Sequence, residues 1–201
     1  MNGMKRALIT GISGQDGSYL AELLLGKGYE VWGLLRRHSV PENQTSRLNA
    51  IGLYDNPKMN LVYGDMTDLP SLLHIFKDVQ PTLMCPKARI YQAGSSEMFG
   101  NEVDEDGYRR ETTPMLPVSP YGCAKLYAYN LCRVYRTSYD MFVSNGILFN
   151  HESPRRGVNF VTNKIVSRAV DIYKGKATTL ALGNLEATRD WGHAKDYVRA
   201  M

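Results

Sequence analysis

The chain has 201 residues, 43% hydrophobic and 22% charged, enough for one α/β domain and part of a second. Its net charge of +4, with a few basic pairs but no long Lys/Arg run, makes no case for nucleic-acid binding, and the N-terminal apolar run breaks at Gly11, too early for a membrane span or a signal peptide. Three cysteines, Cys85, Cys123 and Cys132, are odd in number and lack metal-ligand spacing, which predicts reduced thiols, no disulfide, no metal and a cytoplasmic protein.

Residues 5–10 form a short apolar run that stops at a glycine, the pattern of a buried parallel strand. Gly11-Ile12-Ser13-Gly14-Gln15-Asp16-Gly17 follows, then a helical spacing of Leu20, Leu23 and Leu24 over 18–27, closed by Gly26 and Gly28. Residues 29–35 are a second strand, so the first 35 residues make a βαβ unit. A polar stretch with a short helix near 46–51 leads to a third strand at 60–63 and a helix over 69–79.

Residues 89–93 are another strand, and the helix over 69–79 serves as its crossover. The segment between them, Gln80-Pro-Thr-Leu-Met-Cys-Pro86, is too short for a further strand and crossover helix, because a parallel crossover needs a dozen or more residues. The pattern therefore predicts a doubly wound parallel sheet of Rossmann type lacking one βα unit. An acidic loop, expected to be solvated, precedes a long helix over 120–139. A strand over 141–148, a helix over 159–174 and the start of a helix at Ala194 complete the chain. The expected division is a dinucleotide-binding domain over 1–150 and a partial substrate-binding region over 151–201.

The Gly-x-x-Gly-x-x-Gly turn between a strand and a helix is suited to a diphosphate. Its glycines allow close backbone approach, and the helix N-terminus supplies partial positive charge. Where an NAD enzyme would present an acid to the ribose, at the end of the second strand, this chain has Arg36-Arg37. Two guanidiniums suit a 2′-phosphate, which predicts NADP. Asp65, with Met66 beside it, follows the third strand and is placed to accept from the adenine amino group; a turn aspartate fits almost as well.

Tyr121-x-x-x-Lys125 lies on the long helix, so phenol and ammonium fall on one face, one turn apart. A nearby cation favours a phenolate, and a phenolate can take a proton from a hydroxyl. Ser95-Ser96-Glu97 follows a strand and reads either as a hydroxyl and carboxylate of a reactive site or as a capped turn.

The Gly-rich turn, Tyr121-x-x-x-Lys125 and Ser95-Ser96-Glu97 together resemble the extended short-chain dehydrogenase/reductase family. Three longer strings narrow the resemblance to its GDP-mannose 4,6-dehydratase branch: Gly11 to Leu20, Gly146-Ile-Leu-Phe-Asn-His-Glu-Ser-Pro-Arg-Arg-Gly157, and Arg189-Asp-Trp-Gly-His-Ala-Lys-Asp-Tyr197. The resemblance implies an NADP-dependent lyase that acts on GDP-mannose. Tyr121 would deprotonate the C4 hydroxyl, with Lys125 supporting it and holding the nicotinamide ribose. Ser95, where the family usually has Thr, would bind the C4 oxygen. Glu97 would remove the C5 proton and protonate the departing C6 hydroxyl. By the same resemblance His151 and Arg156 contact NADP, and Asn150, Lys164 and Arg189 contact the GDP-sugar.

The resemblance also implies a homo-oligomer where the fold is complete. Against the family pattern the chain lacks a strand and helix at Thr82/Leu83, and the family continues beyond Met201. Two other readings stay open: an NADP-binding chain that does not turn over, and another nucleotide-sugar enzyme, a reductase or an epimerase. Glu97 speaks against the last, since epimerisation loses no water.

Overall fold

A computed structural model describes residues 5–36, 42–79 and 88–201. Arg37, Cys85 and the junction at Thr82/Leu83 lie outside the described residues.

The first strands form where the sequence alternates or runs apolar. Strand β1 (Arg6–Thr10) pairs in parallel with β2 (Glu30–Leu35), and β2 with β3 (Met59–Tyr63), in the order β1-β2-β3. Helix α1 (Gln15–Gly26) connects the first two, α2 (Glu42–Ala50) the next two, and α3 (Leu69–Val79) follows β3. The period-2 geometry of β2 sends its residues to opposite faces. Val31 and Leu35 join Ile9, Ile12, Ala21, Leu48 and Met59 on one face, while Leu34 meets Ile75 and Val79 of α3 on the other. Helices thus cover both faces, as a doubly wound arrangement requires.

Strand β4 (Ile90–Ala93) pairs in parallel with β5 (Val143–Gly146), joined through a 3-10 turn (Ser96–Phe99), the loop to Ser119, and α4 (Pro120–Tyr139). Helix α4 has Ser119 as its N-cap, Pro120 in its first turn, and Asp140 in a left-handed conformation as its C-cap. Strands β6 (Asn150–Glu152) and β7 (Trp191–His193) make a third parallel pair, with α5 (Val161–Tyr173) between them and α6 (Ala194–Tyr197) after β7. Among the described residues no helix is long and apolar enough to cross a membrane.

Three differences from the sequence expectation have physical causes. In a full dinucleotide-binding sheet of order 3-2-1-4-5, the fourth strand carries ladder hydrogen bonds of both the first and the fifth. With one βα unit lacking, the described strands form three hydrogen-bonded sheets, β1-β2-β3, β4-β5 and β6-β7.

The chain also divides differently from a cut at 150. Met1–Val79 and Asn150–Ala200 form one compact unit, and Gln80–Phe149 with Met201 another. Residue 150 does mark a boundary, but the segment after it packs on the first 79 residues. Ala194 and Val198 are buried there, and the Tyr19 ring meets His193 edge-on at 5.8 Å. Finally, the acidic loop is not merely solvated. Arg110 bonds Asp104 at 2.8 Å and Asp106 at 2.6 Å, and the Thr113 hydroxyl bonds Asp104 at 2.7 Å. These partners hold both carboxyls below the usual carboxylate range.

Candidate active site

The Gly-rich turn has the geometry of an anion cradle. Gly11 sits at φ +70°, and the Gly14 amide closes the turn onto the Gly11 carbonyl at 2.9 Å. A Cβ on Gly17 would lie 2.3 Å from that same carbonyl oxygen, so only glycine fits. No side chain caps α1, whose first amides therefore remain available to a phosphate. Ile12 is fully buried against Gly33 of β2, which pins the turn to the sheet.

The polar side chains of this turn do not point at a common empty space; they hold the segment around β6. Gln15 donates to the His151 carbonyl at 2.8 Å and accepts from Ser153 at 2.7 Å. Asp16 lies 2.7 Å from His151 Nδ1, and the imidazole, only 3% exposed, stacks on Tyr197 with ring centres 3.9 Å apart and nearly parallel. Burial pushes the Tyr197 phenol upward. His151 Nε2 is buried without a partner among the described residues.

Arg155 closes the far side, stacked 3.6 Å over Tyr19 and paired with Glu22 at 2.7 Å. Arg156 stacks 3.5 Å over Phe160, and its Nε stands 3.5 Å from Glu152, an ion pair too long for a good hydrogen bond. Arg47 of α2 donates to the Ser13 carbonyl within the turn.

At the end of β2, Arg36 lines a cavity of about 320 Å³ together with Tyr63, Gly64, Asp65, Asp68 and Ser71. Asp65 accepts from the Thr67 amide at 2.9 Å and hydroxyl at 2.7 Å, both through Oδ1. Those bonds, then the charge of Arg36, draw its carboxyl below the usual value. The turn geometry of Asp65 is therefore present, and Asp65 and Arg36 line the same cavity. Met66 is exposed next to it.

In the other unit the predicted reactive groups are brought together. Tyr121 stands in the first turn of α4 and is 51% exposed. Lys125 Nζ lies 5.5 Å from its ring centre and donates to the Ala93 carbonyl at the end of β4, 2.8 Å away. Ser95 caps the 3-10 turn by accepting from the Glu97 amide at 3.2 Å, as the capped-turn reading expected. Glu97 is exposed, and its carboxylate accepts from Ser119, the cap of α4, at 2.7 Å. A larger depression of about 530 Å³ lies along 140–145 and Arg136, at the opposite end of α4 from Tyr121, and contains none of the predicted residues.

The proposed sugar-binding residues are dispersed over the first unit. Asn150 bonds the Asp190 carbonyl at 3.0 Å, Lys164 is exposed on α5, and Arg189 is exposed and bonds the Thr188 carbonyl. Sequence reasoning missed Ser119, Tyr197 and Arg47. The Ser-Pro start of α4 signals a cap. Nothing in the sequence signals that the same serine meets Glu97, or that Tyr197 stacks on His151.

The GDP-mannose 4,6 dehydratase family model matches the chain in two pieces, residues 8–85 and 82–201, which meet at the short junction. A GDP-mannose 4,6 dehydratase of Cricetulus griseus is 45% identical over 242 positions, more than this chain possesses, covering 98% of the chain and 63% of that protein. The Homo sapiens protein of the same name is 45% identical, with 97% and 63% covered. The chain thus spans under two thirds of these relatives, which also carry residues inside the matched span that it lacks.

Among solved structures, a dTDP-glucose 4,6-dehydratase of Bacillus anthracis in complex with NAD matches with a TM-score of 0.80 at 20% identity, over 98% of this chain and 70% of that one. A UDP-glucose 4-epimerase of Thermus thermophilus in complex with NAD matches at 0.76 and 22%, over 97% and 72%. At such identities these two establish the fold alone. With both pieces of the family model together spanning almost every residue, the chain belongs to the GDP-mannose 4,6-dehydratase family.

Proposed function

We propose that the chain is an NADP-dependent lyase that converts GDP-mannose to GDP-4-keto-6-deoxymannose. The observation that carries this reading is the first turn of α4. It presents Tyr121 to solvent with Lys125 one turn behind it, and its cap holds Glu97. Bound nicotinamide would supply a reversible hydride acceptor, taking hydride from C4 and returning it to C6. The residues present fit that group: an uncapped α1 behind a turn that only glycine can make, and an arginine-lined cavity at the end of β2. Gly11 to Gly17 would hold the diphosphate, and Arg36 with Arg37 the 2′-phosphate.

Tyr121 takes the proton of the C4 hydroxyl, and Lys125, anchored to the Ala93 carbonyl one turn behind it, would hold the nicotinamide ribose. Ser95, whose hydroxyl oxygen caps the 3-10 turn, can still donate its proton to the C4 oxygen. The resulting ketone acidifies C5. Glu97 removes the C5 proton and delivers it to the C6 hydroxyl, which departs as water; C5 regains a proton when hydride returns to C6, and the proton that Tyr121 took from the C4 hydroxyl, released through solvent, balances it. Loss of a poor leaving group needs the adjacent carbonyl, which is why oxidation precedes elimination. Asn150, Lys164 and Arg189 would contact the GDP-sugar. Asp16, His151 and Arg156 would serve the cofactor, the first two by bracing the backbone near it. The same reading places the protein in the cytoplasm as a homo-oligomer.

Incubation with GDP-mannose and NADP⁺, followed by detection of a base-labile 4-keto sugar, tests the proposal; turnover supports it. The residues that its relatives carry inside the matched span and this chain lacks favour one alternative, a family member that binds NADP without turnover. NADPH binding with no ketosugar formed would establish that alternative.

A further inference from the structure

We infer that Ser119 is a positioning residue for Glu97, coupling the cap of the helix that carries Tyr121 to the carboxylate that performs the elimination. The inference rests on the dehydratase reading and gives the cap residue, so far only a structural anchor in it, a role in the elimination.

Both capacities of the Ser119 hydroxyl are engaged. Its oxygen accepts from the Gly122 amide at 3.0 Å, which is the capping bond, and its proton is directed to Glu97 Oε2 at 2.7 Å. Capping needs only the lone pair, and aspartate caps as well as serine does. The proton is therefore the part that a cap alone leaves unexplained. The surrounding backbone is built to bring the two residues together. A Cβ on Gly122 would lie 2.6 Å from the Glu97 carbonyl oxygen and 2.9 Å from Pro117 Cβ, so the first turn of α4 touches the backbone of Glu97.

Glu97 is held at three points. Ser95 Oγ accepts from its amide at 3.2 Å, its carbonyl accepts from the Gly100 amide at 3.2 Å, and Ser119 binds one carboxylate oxygen. With Oε2 engaged, Oε1 carries the proton that is exchanged with substrate. It takes the proton from C5 as the C5–H bond breaks. It then returns that proton to the C6 oxygen as the C6–O bond breaks, water leaves and the C5=C6 bond forms. A donor fixed on Oε2 holds the carboxylate in one orientation and leaves Oε1 free for the transfer.

Three variants separate positioning from capping. Ser119→Asp retains the cap but replaces the donor with a second carboxylate, Ser119→Ala removes both functions, and Ser119→Thr retains both. Thermal unfolding, ketosugar formation and single-turnover accumulation of reduced cofactor are followed for each. Ser119→Asp is expected to unfold near the wild-type temperature yet form ketosugar about 100-fold more slowly, with reduced cofactor accumulating because oxidation at C4 outruns elimination. Ser119→Thr restores turnover.

Ketosugar formation by Ser119→Asp within about twofold of wild type would overturn the inference. If the wild-type chain does not turn over GDP-mannose, the dehydratase reading fails by itself. Ser119 is then judged from the order of the Glu97 side chain, read by NMR relaxation at its Cγ: loss of order in Ser119→Ala with order retained in Ser119→Thr supports the coupling, and unchanged order in Ser119→Ala rejects it.

Discussion

Around the Gly-rich turn, the charged side chains are turned onto one another. Asp16 and His151 pair beneath Tyr197, Arg155 is paired with Glu22, and the imidazole is sealed from solvent. Around the first turn of α4 the reverse holds. Tyr121 and Glu97 stay exposed, and their immediate neighbours anchor to backbone or to a cap. On the proposed function, the difference follows from what each unit would offer a ligand. A diphosphate is bound by backbone amides, so side chains nearby are free to brace the backbone. Proton transfer needs the side chain itself, so its support must come from groups that leave its reactive atoms uncovered.

Changes in each unit test this contrast, beginning with the largest expected effect. Tyr121→Phe removes the proton acceptor while leaving the other unit intact, so ketosugar formation falls at least about 100-fold while NADPH affinity, measured by fluorescence titration, stays unchanged. Gly17→Ala does the opposite. Its Cβ collides with the Gly11 carbonyl, and we expect NADPH binding to be lost and urea unfolding to show about 1–3 kcal/mol of destabilisation.

His151→Ala decides whether His151 braces or binds. A brace predicts a loss of about 2 kcal/mol in urea unfolding, because Asp16 loses its partner and Tyr197 its stacking surface. Unchanged stability with weakened NADPH binding would instead make His151 a ligand. Arg36→Ala reduces the preference for NADPH over NADH by about tenfold, read from the two dissociation constants.

The smallest effect concerns the acidic loop. Asp104 and Asp106 have folded values below the unfolded value of 3.8, so their contribution is present above that value and is lost as pH falls through the folded ones. Amide exchange at Gly107 and Tyr108 should stay slow at pH 5 and quicken only below pH 3.8, whereas Arg110→Ala should quicken it at both.

Much of the fold was legible because its signals are local. The apolar runs of β1 and β2 and the leucine spacing of α1 each report on their own few residues. The long helix was legible over all of 120–139, because its start is marked by Ser119-Pro120 and its periodicity is sustained. Strands β6 and β7, at three residues each, are too short for alternation to register. Asp65 was legible as a turn residue and as a ligand in equal measure, and its bonds to Thr67 show the turn role is filled. Ser119 was missed altogether, although a serine before a proline is a local signal for a cap.

By itself, the sequence determined the chemistry on offer. It specified a glycine-rich turn between a strand and a helix, an arginine pair at the end of the second strand, a phenol one helical turn from an ammonium, and a carboxylate after a strand. It also determined, from the length of the crossover alone, that one βα unit is missing. Only the tertiary structure decided which groups are engaged with one another. It seated the chain after residue 150 on the first 79 residues, sealed His151 between Asp16 and Tyr197, and turned the Ser119 proton to Glu97. Residues 135 and 22 positions apart meet in these last two pairs, and no local pattern encodes such contacts. They arise when buried surface and hydrogen-bond satisfaction are met by the whole chain at once.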